Sequence, residues 1–144
     1  QNIHSIQDMT DKVLGAQAGS SGYLNFEGQP ELLKNRVKDQ KANQYQSFNE
    51  ALIDLKNDRI DALLIDRVYA NYYLQSEGIL NDYNVFSAGF ESEAFAVGVR
   101  PADKTLLDAL NQAFISLYQE GKFQEISQKW FGEDVATSQV KNQE

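Results

Sequence analysis

Two places in the chain hold side chains whose types and spacing suit the capture of a small charged molecule. In the first, Gly19-Ser20-Ser21-Gly22 follows a short apolar run and precedes a helical pattern. Such a turn presents unpaired backbone N–H groups and two hydroxyls at the positive end of a helix, which is an anion site. A phosphate would suit it, and so would a carboxylate. The turn lacks the lysine and the spacing of a phosphate-binding P-loop, which favours the carboxylate. The structural alternative is that Ser20 or Ser21 only caps the helix. The second place is Asp66, which ends the apolar run 60–65. Asp is also a favoured N-cap, so the helix that follows gives this carboxylate a structural role as well.

Other chemistries are poorly supplied. The chain has no cysteine and one histidine, His4. Disulfides and thiolate metal sites are therefore excluded, and with only His4 a His-based triad or His-rich metal site is not expected. Gly19-Ser20-Ser21-Gly22 is not a G-x-S-x-G elbow, although Asp, Glu, Lys and Tyr remain as bases. A net charge of −8 and a pI near 4.6 argue against nucleic acid, whose binding needs a basic face. The basic cluster Lys34, Arg36, Lys38 and Lys41 is local and lies where a helix is expected to end, so dipole complementarity accounts for it. With 42% hydrophobic and 24% charged residues in 144, the composition is that of a globular domain. No apolar run approaches the length of a membrane span. No cofactor is expected.

The elements that must position these residues follow from periodicity. Residues 1–11 are polar and irregular, with His4 solvated. A first strand is expected at 12–17, then a helix over 21–37 that Gly28 and Pro30 threaten to split. A second strand follows at 42–45. Ser47-Phe48-Asn49-Glu50 is a capping box, and Phe48, Ala51, Leu52 and Leu55 line one apolar helical face behind it. The run 60–65, interrupted only by Asp61, reads as a strand covered on both faces. Residues 68–74 resume a helical pattern. Strand–helix alternation of this kind indicates an α/β fold around a mainly parallel sheet, in which ligands sit beyond the carboxyl ends of the strands. Ser20 and Asp66 both fall at such ends. Short strands are expected at 85–86 and 94–100, the latter stopped by Pro101. Asp103 is placed to cap a helix with the stripe Leu107, Leu110, Phe114 and Leu117. Gly121 breaks that helix, and a last one carries Phe123, Ile126 and Trp130, an aromatic stripe expected in a core, before Gly132 closes it. From Glu133 the polar tail reads as disordered.

In order along the chain, Gln17-Ala18-Gly19-Ser20-Ser21-Gly22, residues 48–55, residues 59–66, residues 68–74, Phe95-Ala96-Val97-Gly98-Val99-Arg100 and the ending 121–132 resemble bacterial substrate-binding proteins for polar amino acids, the family 3 solute-binding proteins of ATP-binding-cassette importers. The resemblance covers roughly residues 8–132. It implies a periplasmic-binding-protein-like fold of type II, a two-lobed clamshell whose chain crosses between lobes twice. On that pattern residues 1–11 are a leader or inter-lobe segment, 12–90 the α/β second lobe, 91–132 a return to the first lobe, and 133–144 the tail. Most of the first lobe is then expected to be missing, and the chain to be a piece of a longer protein.

Residue by residue, the resemblance assigns Ser20 and Ser21 to the turn that holds a ligand α-carboxylate. Asp66 matches the acid that pairs with the α-ammonium, and Gln17 a position that lines the pocket. The first-lobe arginine and aromatic residues of the family site have no counterpart. A zwitterion needs an anion nest and a carboxylate several ångströms apart, which adjacent βα turns supply. The implied partners are a polar amino acid and the membrane subunits of an importer, outside the cytoplasm, the full-length protein being periplasmic or a cell-surface lipoprotein. An exposed first-lobe segment would also favour a homo-oligomer or domain swap. Two other functions stay open on this fold: an extracytoplasmic sensor domain of a signalling receptor and a dehydratase-like enzyme.

Overall fold

The computed structural model describes residues 2–141. Within them the chain divides into two compact units, one of residues 2–70 with Asn81–Glu91 and one of Asn71–Leu80 with residues 92–141.

The first unit is α/β. Its strands are β1 (Leu14–Gln17), β2 (Ala42–Tyr45) and β3 (Ala62–Leu64), joined by α1 (Ser21–Gly28) and α2 (Phe48–Lys56), with α3 (Arg67–Ser76) leaving β3. The sheet order is β2-β1-β3 and both pairings are parallel, Leu14 lying beside Ala42 on one side and Ala62 on the other. The steps from β1 to β2 and from β2 to β3 run in opposite directions across the sheet, so right-handed crossovers require α1 and α2 on opposite faces. Leu14, Ala62 and Leu64 share one face and pack with Phe26 of α1. Gly15 points to the other, towards Ile60, Tyr45 and Leu63. Alternation along β1 thus serves two half-cores.

Several elements depart from the expected ones. The opening segment is more than irregular chain: it contains a 3-10 turn at Ile6–Met9, and Ile3 and Met9 are buried beside Phe26, Leu33 and Val37. His4 is exposed as expected. The helix after the Gly-Ser turn does not reach residue 37 but stops at Gly28, because Pro30 follows and residues 30–36 fold into successive turns. The basic cluster therefore has no helix end to complement; Lys34 instead pairs with Glu27 and sits 5.9 Å from the Phe26 ring centre. No strand forms at 85–86, where Phe86 packs on the core beside Ala88 and Phe90.

The second unit is helical, with the end of α3, α4 (Lys104–Gln119), α5 (Lys122–Phe131) and a one-turn α6 (Ser138–Lys141). Residues 94–100 form no strand: every strand among the described residues lies in the first unit, so the apolar alternation here has no ladder to join. Asp103 precedes α4 without a side-chain cap, its carboxylate being taken by Arg100 Nε at 2.7 Å. The α4 stripe is not buried; Leu107 and Leu117 are exposed, while Phe114 meets Phe123 of α5 edge-on at 6.4 Å. Trp130 is likewise not in a core but 46% exposed, beside Tyr72 and under the Lys129 ammonium. Gly121 and Gly132 adopt positive φ, which ends one helix and the next without a Cβ clash. The described part of the expected tail, 133–141, makes contacts of its own. The buried Ser127 hydroxyl donates to the Glu133 carbonyl and accepts from Val135 N–H, Asn71 Nδ2 donates to the Glu133 carboxylate, and Asp134 pairs with Lys141 of α6. Residues 142–144 lie outside the described residues.

Candidate functional site

Parallel strands bring the helices that follow them to one edge of the sheet. Gln17 ends β1, Tyr45 ends β2 and Leu64 ends β3, so the N-termini of α1, α2 and α3 all open at that edge. Three partial positive charges converge there, and each strand contributes the side chains of its following turn.

The turn after β1 is shaped by Gly19, whose φ of +70° lets the chain reverse before α1. Ser20 is the N-cap of α1. Its hydroxyl accepts from Tyr23 N–H at 3.2 Å and donates to the Gln17 carbonyl at 2.8 Å. Ser21, the first residue of the helix, is exposed at the same end. Gln17 is half-buried and reaches across to the next turn, where Nε2 donates to the Gln46 carbonyl at 3.2 Å. That turn is held by the expected capping box in a shifted form: Ser47 Oγ accepts from Glu50 N–H, while the Glu50 carboxylate accepts from Gln46 N–H, one residue before the N-cap.

Asp66 stands past β3 and caps α3, its Oδ1 accepting from Tyr69 N–H at 2.9 Å. Ala16 pairs with Leu64, so Ser20 and Asp66 both follow neighbouring strands. The carboxyl edge therefore gathers Gln17, Ser20, Ser21 and Asp66 within one unit. Capping is thus an observed role for both Ser20 and Asp66. A cap uses one oxygen lone pair and leaves the residue at a helix N-terminus, where an incoming carboxylate would also be favoured.

Three residues at this edge escaped the sequence reading as site residues. Phe48 at the start of α2 and Tyr69 in the first turn of α3 place their rings 5.2 Å apart, and Tyr69 Oη points to Asn49 Oδ1 at 3.5 Å. They bridge two of the three helix N-termini. Periodicity registered Phe48 only as a core position, and nothing local marks Tyr69, because their meeting depends on which strands are neighbours.

Behind the edge a charged cluster fixes the backbone. Tyr45 Oη donates to Asp54 Oδ2 at 2.9 Å and Arg59 Nη1 donates to Asp54 Oδ1 at 2.8 Å. The Arg59 hydrogen bond, helped by that of Tyr45, holds the Asp54 carboxyl below its ordinary range. Burial, then the adjoining carboxylate, pushes the Tyr45 phenol up. Asp61, which interrupted the apolar run, does so for a reason: its carboxylate accepts from Val13 N–H at 2.7 Å and extends the β1–β3 pairing by one bond. Among the described residues no group of His, Cys, Asp and Glu is arranged to hold a metal ion.

The chain is similar to several solute-binding proteins. It is 72% identical to an ABC uptake transporter substrate-binding protein of Streptococcus pneumoniae solved with bound histidine, with a TM-score of 0.75 over 94% of this chain and 55% of that one. It is 60% identical to a polar amino acid ABC uptake transporter substrate-binding protein of Streptococcus thermophilus, with a TM-score of 0.81 over 96% and 53%. It is 30% identical to ABC transporter arginine-binding protein 1 of Escherichia coli K12 over 86% of this chain and 49% of the relative. The chain thus spans about half the length of the relatives it matches. Residues 17–133 match the family model described as bacterial extracellular solute-binding proteins, family 3. On the strength of that match, which runs from the end of β1 through α5, the chain belongs to the family 3 bacterial extracellular solute-binding proteins.

Proposed function

We propose that this chain supplies one wall of an amino-acid site in the substrate-binding component of an ABC importer, and that it binds without catalysing a reaction. The supporting observation is the placement of Ser20 and Asp66 beyond the carboxyl ends of adjacent parallel strands. A free amino acid carries a carboxylate and an ammonium on one carbon. On this reading its carboxylate meets the α1 N-terminus at Ser20 and Ser21, the Ser20 hydroxyl exchanging its Gln17 carbonyl acceptor for the ligand, its ammonium meets Asp66, and Gln17 lines the wall between them. The bound histidine of the pneumococcal relative and the arginine-binding relative favour a polar side chain on the ligand. The membrane subunits of an importer are the proposed partner, and the proposed place is outside the cytoplasm, as the family description has it. Anchoring as a lipoprotein is part of the same proposal.

Amide chemical shifts of the isotopically labelled chain test it. Titration with histidine, arginine and cystine should move the signals of Ser20, Ser21 and Asp66 ahead of all others. Shifts that cluster elsewhere, with these three unmoved, would overturn the assignment. One-dimensional proton spectra of the same samples, followed over hours, should show each amino acid unchanged; conversion of any of them would favour a dehydratase-like enzyme.

A further inference from the structure

The side chain of Tyr69 runs from the start of α3 to the start of α2. Its ring lies 5.2 Å from that of Phe48, and its hydroxyl faces Asn49 Oδ1 at 3.5 Å. Helix α2 follows β2 and helix α3 follows β3, while β1 lies between those two strands. Tyr69 therefore spans the end of β1, the strand that leads through Gln17 to Ser20. Hydrogen bonds tie both ends of this span to the candidate site residues. Asp66 Oδ1 accepts from Tyr69 N–H at 2.9 Å, and Gln17 Nε2 donates to the carbonyl of Gln46, two residues before Phe48.

The contact between the phenol and Asn49 is poorly made. A good O–H···O bond is roughly 2.5–3.0 Å long. At 3.5 Å two oxygens stand side by side with acceptor capacity to spare. Such a pair suits a group that carries several N–H donors. Between these oxygens and Asp66 the Tyr69 ring offers an apolar surface to a methylene stem. An amino acid whose ammonium meets Asp66 begins beside the Tyr69 backbone. A side chain about as long as tyrosine's own, laid along the ring, ends at the two oxygens. We propose that Tyr69 and Asn49 determine which amino acid this wall prefers, Tyr69 Oη and Asn49 Oδ1 accepting from the N–H head of a long side chain, a carboxamide, ammonium or guanidinium. This rests on the reading that puts the ligand ammonium at Asp66 and its carboxylate at Ser20 and Ser21. Phe48 is a positioning residue, holding the Tyr69 ring.

Glutamine and methionine have neutral side chains of similar length, but only glutamine carries N–H donors. Amide-shift titrations of the labelled chain should give glutamine a dissociation constant about three- to tenfold below that of methionine. The Asn49 side-chain amide should move with glutamine and not with methionine. Y69F/N49A removes both oxygens and keeps a ring against Phe48, so it should bring the two constants together. Y69F alone should narrow the gap. The urea midpoint of either variant should stay near the parent's, because so long a hydrogen bond contributes little. Equal constants in the parent, or a glutamine preference that survives in Y69F/N49A, would overturn the acceptor pair while Ser20, Ser21 and Asp66 still respond to both amino acids. If neither amino acid moves the signals of Ser20, Ser21 and Asp66, the two poles and the acceptor pair are overturned together.

Discussion

Gly15 and Ile60 lie so close that a methyl group on the Gly15 Cα would stand 2.5 Å from Ile60 Cδ1. The same methyl would meet the Tyr45 ring at 3.1 Å. Ile60 is 2% exposed and Tyr45 is tied to Asp54, so neither side chain has room to withdraw. Gly15→Ala should therefore destabilise the chain by about 1–3 kcal/mol through overpacking. Lower entropy of the unfolded chain offsets only about 0.4–1 kcal/mol of that. Urea unfolding checks it: the midpoint should fall, and Ile60→Val, which removes the offending Cδ1, should recover part of the loss in the double variant.

The cap role of Ser20 and its proposed ligand role are separable. Ser20→Ala should cost about 0.5–2 kcal/mol of stability, because Tyr23 N–H loses its acceptor. Ser20→Asp keeps an acceptor at the N-cap and should retain parental stability, yet its charge should repel a ligand carboxylate. Amide-shift titration with histidine should then show no movement at Ser21 in the Asp variant. Undiminished shifts there would leave Ser20 as a cap alone.

Asp66→Asn makes the corresponding test at the other pole. Asn is as good an N-cap as Asp, so Tyr69 N–H keeps its partner and the urea midpoint should hold. Loss of the negative charge should weaken amino-acid binding at least about tenfold, the equivalent of about 1.4 kcal/mol. Binding by the chain itself should be in the millimolar range. The proposed site is one open wall, and a sub-micromolar constant would require about 4 kcal/mol more than a millimolar one. Equal affinity of Asp66→Asn and parent would remove Asp66 from the ligand site.

Stability should depend on pH at both ends of the scale through Asp54 and Tyr45. The Asp54 carboxyl is held below its ordinary value by Arg59 and Tyr45. Its contribution is present above the unfolded value of about 3.9 and is lost as pH falls through the lower folded value. Tyr45 has the opposite sense, its phenol being pushed up by burial and by Asp54. Its contribution is complete below the unfolded value of about 10 and is lost as pH rises through the higher folded one. Unfolding midpoints at acid pH should fall less steeply in Asp54→Asn than in the parent, and those at alkaline pH less steeply in Tyr45→Phe. Parallel pH profiles for variant and parent would show that neither group's pKa differs between the folded and unfolded chain.

By itself the sequence determined the features that depend on near neighbours in the chain. The Ser47 cap of α2, the break at Gly121 and the close at Gly132 each rest on interactions within a few residues. So does the α/β alternation, which follows from apolar runs separated by helical periods. Tertiary structure decided what depends on distant partners. Whether residues 94–100 become a strand is a matter of finding a ladder, which alternation cannot supply. Whether the leucines of α4 are buried depends on what lies against them, and the same pattern serves a covered helix and a bare one. The meeting of Phe48 with Tyr69, and of Asp61 with Val13, required the order β2-β1-β3, which joins residues far apart in sequence. Ser20 and Asp66 lie between these cases. Their places at strand ends were legible locally, whereas their following adjacent strands rests on β3 pairing directly with β1, a choice made by packing across the whole sheet.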